Sequence, residues 1–123
     1  NVRIVKGTAV YTTTFTPSIV PLTAITNTSL LTCQSNRFID NSTNAFAITV
    51  NGTPSIQRFS PFLTNNAYST SVIGGSGYFD GGSYLSIPNS TSLQVGTSDF
   101  TIECWVYPFS TSGEQSIFVK KYF

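Results

Sequence analysis

The stretch from Gly77 to Pro108, GYFDGGSYLSIPNSTSLQVGTSDFTIECWVYP, constrains the fold more than any other part of the chain. Tyr78 and Phe79 end one apolar run, and Asp80-Gly81-Gly82 supplies residues that tolerate positive φ. The pattern predicts a tight reversal, with Tyr78-Phe79 pairing against Tyr84-Leu85, and a second strand that Pro88 stops. After a polar Asn/Ser/Thr loop, Phe100 to Tyr107 forms a third run of aromatic and β-branched residues, closed by Pro108. Short runs bounded by Gly, Pro and Asn/Ser clusters mean antiparallel β-structure. Applied along the chain, the same signals place strands near 2–6, 55–59, 76–80, 83–87 and 100–107.

Composition narrows the chemistry. Only 9% of the residues are charged and the net charge is +1, so no basic field draws nucleic acid. Polarity comes from Ser, Thr and Asn, which favour strands, turns and neutral hydrogen-bonding surfaces, and the 14% aromatic content gives a β-core its bulk. No apolar run approaches the roughly 18–20 residues that cross a bilayer. Histidine is absent, which removes the usual general base and the commonest transition-metal ligand. Methionine is absent too, even at position 1, so the chain is expected to be part of a longer product.

The acids do not assemble a catalytic pair. Asp40, Asp80, Asp99, Glu103 and Glu114 are scattered, and Glu103 has Thr101 and Trp105 as its same-face neighbours in a strand. A retaining glycosidase needs two carboxylates about 5–5.5 Å apart. The serines have no G-x-S-x-G elbow and no histidine to activate them. The reading is therefore non-enzymatic. Cys33 and Cys104 lie in apolar contexts and read as buried free thiols, the alternative being a disulfide with Cα atoms about 4.4–6.8 Å apart. Trp105, in the middle of a β-run, reads as a core residue and not as a sugar platform.

The motif F-D-G-x-x-Y-L-x-I-P at 79–88, followed by D-F-T-I-E-x-W-V-x-P at 99–108, resembles the LamG-like (concanavalin A-like) jelly-roll family. Asp40-Asn41-Ser42-Thr43-Asn44-Ala45 resembles the same family's D-S-S-G-N-G loop, with Thr43 and Ala45 replacing its glycines. The stretch near 29–33 resembles the family's opening strand, Phe46 to Val50 the strand after the loop, Asn51-Gly52 its type I′ turn, and 116–121 the strand that follows the Trp-containing one. Arg3, Ile4, Lys6, Gly7, Ala9 and Tyr11, continuing to Phe15-Thr16-Pro17, resemble the closing strand and exit of one module, with Ser18 where a second proline is usual.

The resemblance implies an antiparallel jelly-roll β-sandwich present as a partial module. Residues 1–22 would be the closing strand and exit linker of a preceding module, and 23–123 the N-terminal part of the next. Strand 2–6 would take the place of that module's own last strand. The family setting implied is that of tandem modules in marine bacteriophage structural or tail-fibre proteins, hence a virion or extracellular location with neighbouring modules as partners. It implies a non-catalytic adhesion module binding a glycan or host receptor weakly. The alternatives are a structural spacer in a phage fibre and an inactive relative of a concanavalin A-like glycoside hydrolase. Loop residues Asn65, Asn66, Tyr68 and Tyr84 are the candidate sugar contacts. Calcium-holding relatives make Asp40, Asn41 and Asn44 a candidate Ca²⁺ loop, and otherwise no cofactor is expected. Neither a nucleic acid nor a membrane is an expected partner.

Overall fold

A computed structural model of the chain describes residues 1–34, 36–59 and 75–121. The described residues are all-β and antiparallel: β1 (Val2–Lys6), β2 (Thr28–Thr32), β3 (Thr49–Asn51), β4 (Ser55–Gln57), β5 (Ser76–Tyr78), β6 (Tyr84–Ser86) and β7 (Phe100–Cys104). Among them the only helical element is one 3₁₀ turn at Thr91–Leu93, whose start is held by the Ser90 hydroxyl accepting from the Ser92 N–H.

The core lies where a three-stranded sheet runs in the order β2-β1-β7. Strand β1 alternates so that Ile4 faces one side and Val5 the other, and both are buried, as are Leu30 and Leu31 of β2. A central strand needs cover on both faces, and VRIVK has apolar residues for both. Ser29 is the extra residue of a β2 bulge, where the register steps from Ile4↔Leu30 to Val5↔Thr28. Thus the segment that the family resemblance assigns to a preceding module is the middle strand of the sheet.

Outside that sheet, residues 49–57 and 76–86 form two short ladders, β3 with β6 and β4 with β5. This corrects the hairpin expected across Asp80-Gly81-Gly82: β5 and β6 do not pair with each other. Between Asn51↔Tyr84 and Ser55↔Tyr78, three residues on one arm (52–54) face five on the other (79–83). Asp80-Gly81-Gly82 is therefore a bulged interruption between two ladders made by the same two arms. Asp80 Oδ1 accepts from the Gly82 N–H (3.1 Å) and the Ser83 N–H (2.8 Å), and the Ser83 hydroxyl accepts from the Thr53 N–H across the gap (3.0 Å). Gly52 has φ +76°, and a Cβ there would stand 2.6 Å from Ser83 Oγ, so only glycine lets the arms close. The Asn-Gly pair expected as a turn serves instead as the partner of this bulge.

Three further expectations are corrected. Strand β7 ends at Cys104, not at 107, and 116–121 is not a strand. Trp105, expected in the core, has 43% of its surface exposed, because it lies one residue beyond the end of β7. Ile117, Phe118 and Val119 are exposed as well.

Both thiols are free. Val2 pairs with Cys104 on one side and with Thr32, the neighbour of Cys33, on the other. Two strand spacings, about 9–10 Å, therefore separate Cys104 from the end of β2, too far for a disulfide. Burial raises the pKa of both thiols.

Candidate functional site

Three of the five acids, Glu103, Asp40 and Asp80, are held by side-chain hydrogen bonds. Glu103 stands opposite Arg3 in the β1–β7 register. Arg3 Nε donates to Glu103 Oε1 at 2.6 Å, Arg3 Nη2 reaches the same oxygen, and Arg3 Nη1 donates to the Thr23 carbonyl at 2.7 Å. The Tyr11 hydroxyl donates to Glu103 Oε2 at 2.6 Å. That hydrogen bond, then burial, raises the Tyr11 pKa. Both carboxylate oxygens of Glu103 are engaged within a half-buried cluster, and the ion pair fastens β7 to β1.

Asp40 is a second hub. Its Oδ1 accepts from the Leu31 N–H (3.0 Å) and the Ser42 N–H (2.8 Å), and its Oδ2 accepts from the Ser42 hydroxyl (2.8 Å) and the Phe46 N–H (2.9 Å). Partial burial opposes ionisation, but the N–H groups of Leu31, Phe46 and Ser42 together with the Ser42 hydroxyl outweigh it and lower the pKa. Asn41 N–H donates to the Leu31 carbonyl at 2.7 Å. The Asn44 amide donates to the Ser29 carbonyl at 2.8 Å, and the one hydrogen of the Ser42 hydroxyl lies between Asp40 Oδ2 (2.8 Å) and that carbonyl (3.2 Å). Asp40, Asn41 and Asn44 are thus brought together around the outer edge of β2. As arranged, the set does not fit Ca²⁺, which takes six to eight oxygen ligands: both Asp40 oxygens already accept two donors each. Ala45 holds φ +46°, a left-handed conformation, at the position where the resembling loop has glycine.

Asp80 is exposed. Its pKa is lowered by hydrogen bonding from the Ser83 side chain and from the Gly82 and Ser83 N–H groups, as the interruption requires.

Of the four candidate sugar contacts, Tyr84 lies on β6 opposite Asn51 with its side chain exposed. Asn65, Asn66 and Tyr68 lie outside the described residues. The structure adds a row of rings that the sequence reading did not single out. Phe59, Tyr107, Phe109 and Tyr78 follow one another with successive centroids 5.9, 5.7 and 5.8 Å apart and tilted or edge-on faces. Tyr107 and Phe109 are 71% and 82% exposed. The row joins the end of β4 and β5 to the segment after β7, so three separate stretches of chain supply it. The only local signal was the Tyr-Pro-Phe triplet at 107–109, in which the proline breaks strand pairing between two aromatics.

A shallow polar cleft of about 320 Å³ lies elsewhere, where Lys6, Asn27, Asn44 and Thr91 converge. Lys6 Nζ donates to the Thr91 carbonyl at 2.7 Å and is the one charged group lining it. Among the described residues no group of three or more His, Cys, Asp or Glu is placed to hold a metal ion, and no helix is long and apolar enough to cross a membrane. Comparison of the chain with protein-family models, with curated proteins and with solved structures gave no match.

Proposed function

We propose that the chain is a non-catalytic adhesion module of the LamG-like jelly-roll kind, from a multi-domain extracellular or virion structural protein, that binds carbohydrate weakly. The observation that carries the reading is the exposed ring row Phe59–Tyr107–Phe109–Tyr78. Large apolar ring faces beside hydroxyl and amide groups suit the alternating CH and OH faces of a sugar, and tyrosine adds a polar handle to each contact. The antiparallel pairing and the side-by-side placement of β1 and β2 support the jelly-roll reading, in which a neighbouring module's strand completes the sheet. Glu103 supports the non-catalytic reading, since Arg3 and Tyr11 occupy its two oxygens. Asp40 serves as a hydrogen-bonding hub at the edge of β2.

A single weak site is enough for adhesion, because tandem copies raise avidity by about 10²–10⁴ when geometry permits. The test is a glycan array probed with the chain as monomer and as a streptavidin-displayed tetramer, with and without chelator. Binding should rise with valency, vanish in the Tyr107→Ala/Phe109→Ala double variant, and be indifferent to chelator. Binding unchanged in the double variant would refute the ring row as the site. Loss on chelation would restore the Asp40 loop as a calcium site, and no binding at any valency would leave the structural-spacer reading in its place.

A further inference from the structure

The two edges of the β2-β1-β7 sheet are finished differently. On β2, the outward Leu31 N–H and C=O are taken by Asp40 Oδ1 and the Asn41 N–H, and the Ser29 carbonyl by Ser42 and Asn44. On β7 the outward groups follow from the register. Gly7 N–H donates to the Asp99 carbonyl, so the alternation of an antiparallel ladder makes Val5–Thr101 and Arg3–Glu103 the hydrogen-bonded pairs with β1. Phe100, Ile102 and Cys104 then point their N–H and C=O groups away from the sheet. Among the described residues no partner takes any of those groups.

This edge also lacks the usual protection. It carries no lysine and no proline from Phe100 to Cys104, and its single charge, Glu103, is already neutralised by Arg3. The strand is also self-complementary about Ile102. In an antiparallel twofold pairing Ile102 meets Ile102 of a second copy, and Phe100 meets Cys104 in both directions. That register joins about six outward backbone groups on each strand and sets no like charges directly opposite one another.

We infer that β7 is a homodimer edge: two copies of this chain pair β7 against β7 about a twofold axis through Ile102, giving one continuous six-stranded sheet. The Asp40 loop on β2 closes the other end, so assembly stops at two copies and does not run on as a fibre. This goes beyond the adhesion role and does not depend on it.

Sedimentation equilibrium of the 123-residue chain, from about 1 µM to about 1 mM, should show a shift from 13.3 kDa to twice that mass and no further. Of the backbone hydrogen-bonding groups Ile102→Pro removes only an outward N–H, so it spares the β1 ladder and should weaken the dimer by about tenfold or more, with the β-type circular dichroism retained. Phe100→Cys tests the register directly. The introduced thiol would lie about 5.5 Å, Cα to Cα, from Cys104 of the second copy, but about 13 Å from Cys104 of its own strand. Oxidised glutathione, taking up the thiol hydrogens, should therefore lock a covalent dimer whose cross-linked peptides contain position 100 and Cys104. A monomer at every concentration, or masses beyond the dimer, would overturn the inference. A dimer weakened by the proline but not locked would overturn the Ile102-centred register. A monomer with its Ile102 amide protected would mean that another segment of the same chain covers the edge, which also overturns it.

Discussion

Strands β2 and β7 flank the same central strand, yet one outer edge is sealed and the other meets no partner among the described residues. The sealed edge is built from polar residues: an aspartate, a serine and two asparagines folded back over Leu31 and Ser29. The β7 edge, FTIEC, is the more apolar, with Phe100 exposed. The difference teaches that β-propensity makes a strand but does not find it a second partner. What finishes an edge is a loop able to supply donors and acceptors at the strand's own spacing.

The contrast can be broken from either side. The largest effect is expected at the bond that holds β7 to the centre. Glu103→Ala leaves Arg3, only 5% exposed, without its carboxylate, and should cost about 3 kcal/mol in urea unfolding. Arg3→Met with Glu103→Leu should recover much of that loss, since replacing both charges removes the orphan. Next comes the seal on β2. Asp40→Ala strips acceptors from the Leu31, Ser42 and Phe46 N–H groups and should cost about 2 kcal/mol. It should also open a second edge, so that light scattering detects species larger than the dimer.

Acid reproduces part of the same change. The Asp40 pKa is lowered in the folded chain, so its contribution is complete above the unfolded value of about 3.9 and fades as pH falls through the lower folded value. Stability should therefore be flat with respect to this group near neutrality and drop below about pH 4, and Asp40→Asn should flatten that drop. The smallest effect sharpens the loop's geometry. Ala45→Gly relieves a left-handed alanine and should stabilise the chain by about 1 kcal/mol, whereas Ala45→Val should destabilise it.

What could be read beforehand was whatever depends on neighbours in sequence. Strand β1 was expected at its observed bounds, and β2 within one residue, because apolar runs bounded by Gly and Asn are local signals. The second half of 100–107 failed for a physical reason: Trp105 to Tyr107 have high β-propensity but lie beyond β1's last partner residue, Val2. The same holds for Ile117 to Val119, apolar enough for a strand yet unpaired with any described residue. Asp80-Gly81-Gly82 misled because its conformational freedom serves a bulge as readily as a hairpin, and the choice depends on which arm lies opposite. The Arg3–Glu103 pair spans a hundred residues of sequence, and nothing local to either residue signals the other. The Asp40 loop was singled out by the family resemblance and its calcium-holding relatives, but a resemblance does not say whether those oxygens meet a cation or the Leu31 amide. The ring row suffers the same limit, since Phe59 and Tyr78 reach Tyr107 and Phe109 only through the fold.

Residue-resolved amide hydrogen exchange compares the two edges most directly. In dilute solution the account predicts strong protection of the Leu31 N–H, which Asp40 holds, and rapid exchange of the Ile102 N–H, which points away from β1. Raising the concentration should slow Ile102 and leave Leu31 unchanged. Equal protection of the two amides at the lowest concentration would contradict the account, for it would mean that β7 is sealed as fully as β2.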